Sequence, residues 1–99
     1  MPNAYIIADV TVTNPDQMAQ YRVWSSKAMQ EFGAEILVRG GAVEVLEGTW
    51  QPTRLVVMKF PSVDQAKAMY HSDTYTHARS LREGAGVMRM VVVEGAEGA

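Results

Sequence analysis

The chain has no cysteine. Disulfides, thiolate nucleophiles, cysteine-ligated zinc and iron–sulfur clusters are therefore excluded, and so small a domain without covalent staples fits a reducing compartment. It also lacks a block of one charge. Nine basic and 11 acidic residues are mixed along 99 positions for a net charge of −2, so no basic stripe exists for a phosphate backbone and no nucleic-acid partner is expected. Long apolar runs are absent as well. The opening M-P-N-A-Y-I-I-A-D-V has no basic flank, and Asp9 interrupts a stretch too short for a signal peptide or a membrane span. A cytoplasmic protein without a membrane partner is expected. Histidine is scarce: His71 and His77 stand six apart, off any common helical face, which gives no metal motif. Neither metal nor cofactor is expected. Gly84-Ala85-Gly86 precedes a strand, the reverse of a nucleotide-binding turn, and no nucleophile elbow or phosphate loop occurs.

What is present is a mixture of helix and strand signals. Tyr5 to Val12 is rich in β-branched residues and reads as a strand. Asn14-Pro15-Asp16 opens a helix, with Asn14 as cap, Pro15 at the first helical position and Asp16 at the positive end of the dipole. Met18, Tyr21, Trp24, Ser25, Ala28, Met29 and Phe32 then fall on one side at helical spacing, and Gly33 is placed to end the helix. Glu35 to Arg39 reads as a second strand, turned by a Gly40-Gly41 corner that needs positive φ. Val43 to Glu47 reads as a third short extended run, Gly48 to Thr53 as a loop, and Arg54 to Phe60 as a long apolar strand. Ser62 and Gln65 suit a capping box for a second helix. That helix is interrupted near His71-Ser72-Asp73, where Ser72 or Asp73 caps a new segment reaching about Glu83. Val87 to Glu94 is the last strand. A single domain over residues 1–95 and a flexible tail over 96–99 are expected.

The order β-α-β-(β)-β-α-β predicts an α+β fold, a ferredoxin-like sandwich in which an antiparallel sheet carries two helices on one face. An internal echo agrees: N-P-D-Q-M-A-Q-Y opens the first helix and S-V-D-Q-A-K-A-M-Y the second. Strand alternation separates the faces of the sheet. Ile6, Ala8, Val10 and Val12, Val56, Met58 and Phe60, and Met88, Met90 and Val92 form apolar sets that belong under the helices, joined by Ile36 and Val38. The other face holds Tyr5, Ile7, Leu37, Leu55, Val57, Val87, Val91 and Val93, too apolar a patch for a monomer to leave in water. It is expected to pack on the sheet of a second copy, making a homodimer.

Charges on that second face supply the candidate site. Asp9, Arg39, Lys59 and Arg89 are expected to point between the sheets, where each must be paired, reach the rim or meet a ligand. Two readings stay open: ion pairs at the sheet edges, for instance Asp9 with Lys59 or an arginine, or a pocket with Arg39 holding an anion and Asp9 accepting a proton. On the second helical segment, Tyr75, Arg79 and Arg82 share a side at i, i+4 and i+7, able to hold a carboxylate or phosphate or to lie as a solvated face. Tyr21 lies on the apolar stripe of the first helix, its hydroxyl in need of a partner.

Several motifs together carry a family likeness: R-G-G at Arg39 to Gly41, E-G-x-W-x-P-x-R from Glu47 to Arg54 with the apolar strand after it, and Y-x-S-x-x-Y from Tyr70 to Tyr75 with Arg82 behind. From Tyr5 to Glu94 the chain resembles a family of small bacterial proteins of unknown function, within the dimeric α+β barrel group. The resemblance implies ferredoxin-like protomers whose sheets face each other. The wider group includes cofactor-free monooxygenases of aromatic substrates, lactone isomerases, haem-binding enzymes and proteins without known chemistry, so it carries over no catalytic residue. The expected function is binding of a small anionic or aromatic metabolite between sheet and helices, with cofactor-independent proton-transfer, isomerase-like or monooxygenase-like chemistry. Asp9 is the candidate base, Arg39 and Arg82 are anion holders, and Tyr21 and Tyr75 are orienting hydroxyls. The alternative is a non-catalytic, ligand-sensing or structural homodimer.

Overall fold

Helix starts and strand alternation build the molecule much as its residues require. The computed structural model describes residues 2–99. Strand β1 (Ala4–Val12) leads to α1 (Pro15–Glu31), β2 (Glu35–Arg39), β3 (Leu55–Phe60), α2 (Val63–His71), α3 (Asp73–Leu81) and β4 (Gly86–Glu94). The four strands form one antiparallel sheet in the order β2-β3-β1-β4. The architecture is the expected ferredoxin-like α+β sandwich. Among the described residues no helix is long and apolar enough to cross a membrane.

The expected third strand does not form. Residues 40–54 join β2 to β3 as irregular, largely exposed chain, and Val43, Val45 and Leu46 stand outward. A β-branched run becomes a strand only where an edge offers hydrogen-bond partners. Both sides of β3 are occupied, by β2 and β1, and the run does not pair with the outer edge of β2 that remains free.

The helix caps follow the sequence closely. Asn14 Oδ1 accepts the Gln17 N–H at 3.1 Å and Ser62 Oγ accepts the Gln65 N–H at 3.0 Å. The Asp-Gln echo has a structural meaning that the sequence did not disclose. The Gln17 side-chain amide donates to the carbonyls of Leu81 (3.0 Å), the last residue of α3, and Glu83 (2.5 Å), just past it, while that of Gln65 donates to Phe32 O (3.3 Å), just past α1. Each half therefore satisfies the orphan carbonyls that end the other half's helix. Ser72 breaks the second helical stretch: its Oγ accepts the Tyr75 N–H at 3.1 Å and donates to Met69 O at 2.7 Å. α1 ends at a Schellman-type turn, with Gly33 at φ 70° and the Ala34 N–H returning to Met29 O at 2.9 Å.

Ile6, Ala8, Val10, Met58 and Phe60 meet Met18, Tyr21, Ala28, Ala66, Met69, Tyr75 and Ala78 from the helices in one core. The molecule is a slab of 39 × 38 × 16 Å, thin because only one side of the sheet is covered. On the bare side Val87 and Val91 are 58% and 59% exposed, with Tyr5, Ile7, Leu55 and Val57 half-buried. The last residues fold back along the sheet end, where Asn3 N–H donates to Ala99 O at 3.1 Å and Gly95 N–H to Asn3 O at 2.8 Å.

Candidate functional site

A bulge decides which residues meet. Along β2, Ile36 lies opposite Met58, but Val38 lies opposite Val57 and Arg39 opposite Val56, so an extra residue, Leu37, is inserted. Such an insertion turns every later side chain to the other face. Val56 pairs with Ala8 on the helix side. Arg39 therefore belongs to the helix side and Val38 to the bare face, the reverse of the expectation from simple alternation. Asp9, opposite Leu55 and Arg89, stays on the bare face. The expected pairing of Arg39 with Asp9 in one pocket does not occur, because the sheet lies between them.

Asp9 has its own surroundings. Its Oδ2 accepts the Trp50 indole N–H at 3.3 Å, which draws the 40–54 connection across the sheet, and its Oδ1 is buried without a hydrogen-bond partner. Trp50 remains 59% exposed. Together with Thr11, Thr53 and Arg89 these residues line a shallow polar hollow.

On the helix side, between α1 and the sheet, lies a cavity of about 110 Å³. Its floor is Ala8, Val10 and Val56, and its walls include Met18, Met29, Met58, Met88 and Met90, five of the chain's seven methionines. Polar lining comes from Tyr21, Ser25 and Ser26 and from Arg22, Arg39 and Arg54. Among the described residues no acidic one lines it. Arg54 is seated against Gly40, whose φ of 73° makes the expected corner and whose missing Cβ leaves room for the guanidinium stem.

Behind Tyr21 stands a buried polar chain. Tyr21 and Tyr75 hydroxyls are 2.6 Å apart, and Arg82 Nη1 donates to Tyr75 Oη at 3.3 Å and contacts Met88 Sδ at 2.9 Å. The Arg82 guanidinium also lies 5.1 Å from the centre of the Tyr21 ring. Burial pushes the Tyr21 phenol well above the ordinary tyrosine range. Tyr75 adds to the shift through its charge and hydrogen bond, and Arg82 opposes it. Tyr21, Tyr75 and Arg82 are thus brought together as a unit, with Tyr21 facing the cavity. Arg79, expected on the same side as Arg82, instead bonds Tyr70 Oη at 3.4 Å and Thr76 Oγ1 at 3.4 Å. His77 packs edge-on against Trp24, centroids 4.4 Å apart, and His71 against Tyr70 at 5.2 Å.

Sequence reasoning did not single out Arg22 or Arg54 as site residues. Arg22 lies next to the stripe residue Tyr21, and Arg54 immediately precedes β3, but only the bulged register shows that both share a cavity with Arg39.

A four-stranded antiparallel sheet with helices on one face and a lined cavity between the layers defines a ferredoxin-like α+β protein. The chain belongs to the family described as Domain of unknown function (DUF1330), whose model matches residues 3–96. No curated protein matches it. Among solved structures, a protein of unknown function from Rhodopseudomonas palustris is similar, with 18% identity, a TM-score of 0.73, and 96% of this chain and 83% of that one covered. A dimeric ferredoxin-like protein of unknown function from Jannaschia sp. CCS1 has 12% identity and a TM-score of 0.71, covering 94% and 99%. A candidate antibiotic biosynthesis monooxygenase from Caulobacter crescentus CB15 has 13% identity and a TM-score of 0.61, covering 96% and 91%. At these identities the likeness is one of fold.

Proposed function

We propose that this protein is a homodimer that binds a small amphipathic anion in the cavity between α1 and the sheet of each protomer. The observation that carries the binding role is the lining: an apolar, methionine-rich interior, arginines including Arg39 in the same lining, and no acidic residue to neutralise them. Tyr21 supports the opposite end of the ligand. Arg82 donates into the Tyr75 oxygen, so the orientation that satisfies the chain sends the Tyr75 proton to Tyr21. The Tyr21 proton is then left with Met88 Sδ at 3.8 Å, a weak acceptor. A carbonyl or carboxylate oxygen of a ligand is a better one. A phenol held neutral in this way orients a ligand oxygen and steadies charge that develops on it.

The ligand-binding reading without chemistry is favoured by a second feature of the lining. No carboxylate, histidine or lysine stands in it to remove a proton, and Asp9 is on the far side of the sheet. Isomerase-like or monooxygenase-like turnover would have to use Tyr21 as an acid. The similarity in fold to the Caulobacter crescentus candidate monooxygenase makes oxygen chemistry worth assaying. Pairing of two copies is supported by the bare apolar face and by the dimeric ferredoxin-like protein from Jannaschia sp. CCS1.

The test is a benzoate titration followed by NMR of methyl-labelled methionines. Shifts at Met29, Met88 and Met90, with Met69 unmoved, are expected, because Met69 is buried in the core outside the cavity lining. Arg39→Ala should weaken binding about tenfold, the worth of one charge-assisted hydrogen bond. Failure of benzoate to move any cavity methionine would remove the binding role.

A further inference from the structure

Arg22, Arg39 and Arg54 are half of the chain's arginines, the others being Arg79, Arg82 and Arg89. All three line one cavity of a protein whose net charge is −2. Like charges placed together are unfavourable unless an anion joins them, and no carboxylate in the lining does so. Each arginine arrives from a different element: Arg22 from α1, Arg39 from the bulged end of β2, and Arg54 from the entry to β3. Two local devices bring the strand arginines there. The inserted Leu37 re-aims Arg39, which regular alternation would send to the bare face. Gly40 supplies both the positive-φ corner and the space in which Arg54 lies.

We infer that these three guanidiniums form a clamp for a dianionic head group, two negative charges on one group or on neighbouring substituents of a ligand whose body is a single aromatic ring. This rests on the reading of the cavity as a ligand site and names its substrate class. One carboxylate is matched by one bidentate arginine; three arginines in one lining call for a head with more oxygens and more charge. The body follows from the interior. A cavity of about 110 Å³ is of the same order as the ~150 Å³ apolar cavity that accommodates benzene elsewhere. Five methionine side chains give it an adaptable, polarizable wall suited to a ring. A vicinal aromatic dicarboxylate and an aryl phosphate share this chemistry.

Calorimetric titration of the full-length protein at pH 8 with benzoate, phthalate and phenyl phosphate separates the possibilities. At least one dianion should bind about tenfold or more tightly than benzoate, by the gain of one further charge-assisted contact. Arg22→Ala and Arg54→Ala should reduce that preference to within about threefold, the dianion losing more affinity than benzoate, and an unaltered melting temperature of each variant certifies its fold. Tight phthalate with weak phenyl phosphate assigns a dicarboxylate; the opposite order assigns a phosphate monoester. If benzoate binds and the dianions gain nothing over it, the clamp is refuted and the simpler anion site stands. If the dianion preference persists in both variants, Arg22 and Arg54 are not its source and the clamp is likewise refuted. If none of the three probes binds, both the clamp and the site fall.

Discussion

At the scale of single residues, Tyr21 and Arg39 show how placement changes a side chain's chemistry. Tyr21 is 6% exposed and its phenol is held above the ordinary range, first by desolvation and then by Tyr75. The sign of the resulting pH dependence follows. Below the unfolded tyrosine value near 10 both states are protonated and nothing changes. Above it the unfolded chain loses this proton while the folded one keeps it, so stability falls as pH rises from about 10. Tyr21 should therefore not ionise before the protein unfolds. In an alkaline absorbance titration, Tyr21→Phe is expected to leave the pre-unfolding tyrosinate amplitude unchanged and to lessen the alkaline loss of stability. A reduced native amplitude in the variant would show that the phenol is accessible to hydroxide. Arg39 illustrates the opposite case, a residue whose role depends on its direction and not on its burial, since it is exposed and yet joins the cavity lining.

At the scale of elements, the break between α2 and α3 positions the polar chain behind the cavity. Ser72 ends one helix and starts the next, and its cap holds the N–H of Tyr75 itself. Tyr75 thereby points inward, 1% exposed, with Arg82 one residue beyond the end of the same helix. Ser72→Ala removes the cap and the hydroxyl's bond to Met69 O. It is expected to cost about 1 kcal/mol in urea unfolding, the usual worth of an N-cap, and to weaken benzoate binding through Tyr75. A variant as stable as the parent would mean that α3 is held by its packing on α1 alone. The glutamines that close the ends of the opposite half's helices give the two halves a mutual dependence of the same kind.

At the scale of the whole molecule, the two faces of the slab differ. The helices cover one face, and the other leaves Val87, Val91 and Val93 largely in contact with water, with β4 as an edge strand. A surface of that character is an association site in most soluble proteins. The 40–54 connection, anchored by Trp50 to Asp9, lies along the rim of the same face, and the unpartnered Asp9 Oδ1 offers a further acceptor there. Native mass spectrometry is expected to give a dimer, and Val91→Glu, which sets a charge in the middle of the apolar face, should shift it to monomer. A wild-type monomer at micromolar concentration would refute pairing through this face. Because the arginine-lined cavity is on the helix side, Val91→Glu should retain benzoate binding even as it dissociates the dimer.

The sequence by itself determined what depends on near neighbours and on unbroken periods. The capping residues Asn14 and Ser62, the helical stripe from Met18 to Phe32, the turn at Gly33 and the two faces of β1, β3 and β4 all follow from local chemistry or from spacing of 3.6 and 2. The α+β order was legible on the same grounds, and the family resemblance in the motifs between Arg39 and Arg82. Tertiary structure alone decided which residues share the cavity. Alternation assigns a face only while the ladder is regular, and the insertion at Leu37 is a property of how β2 pairs with β3. That one residue separated Arg39 from Asp9 and brought it to Arg22 and Arg54, positions 17 residues before it and 15 after it in the chain. The A-V-E-V-L run shows the converse limit: residues 42–46 have strand composition but do not pair with the outer edge that β2 leaves free, so composition did not become structure.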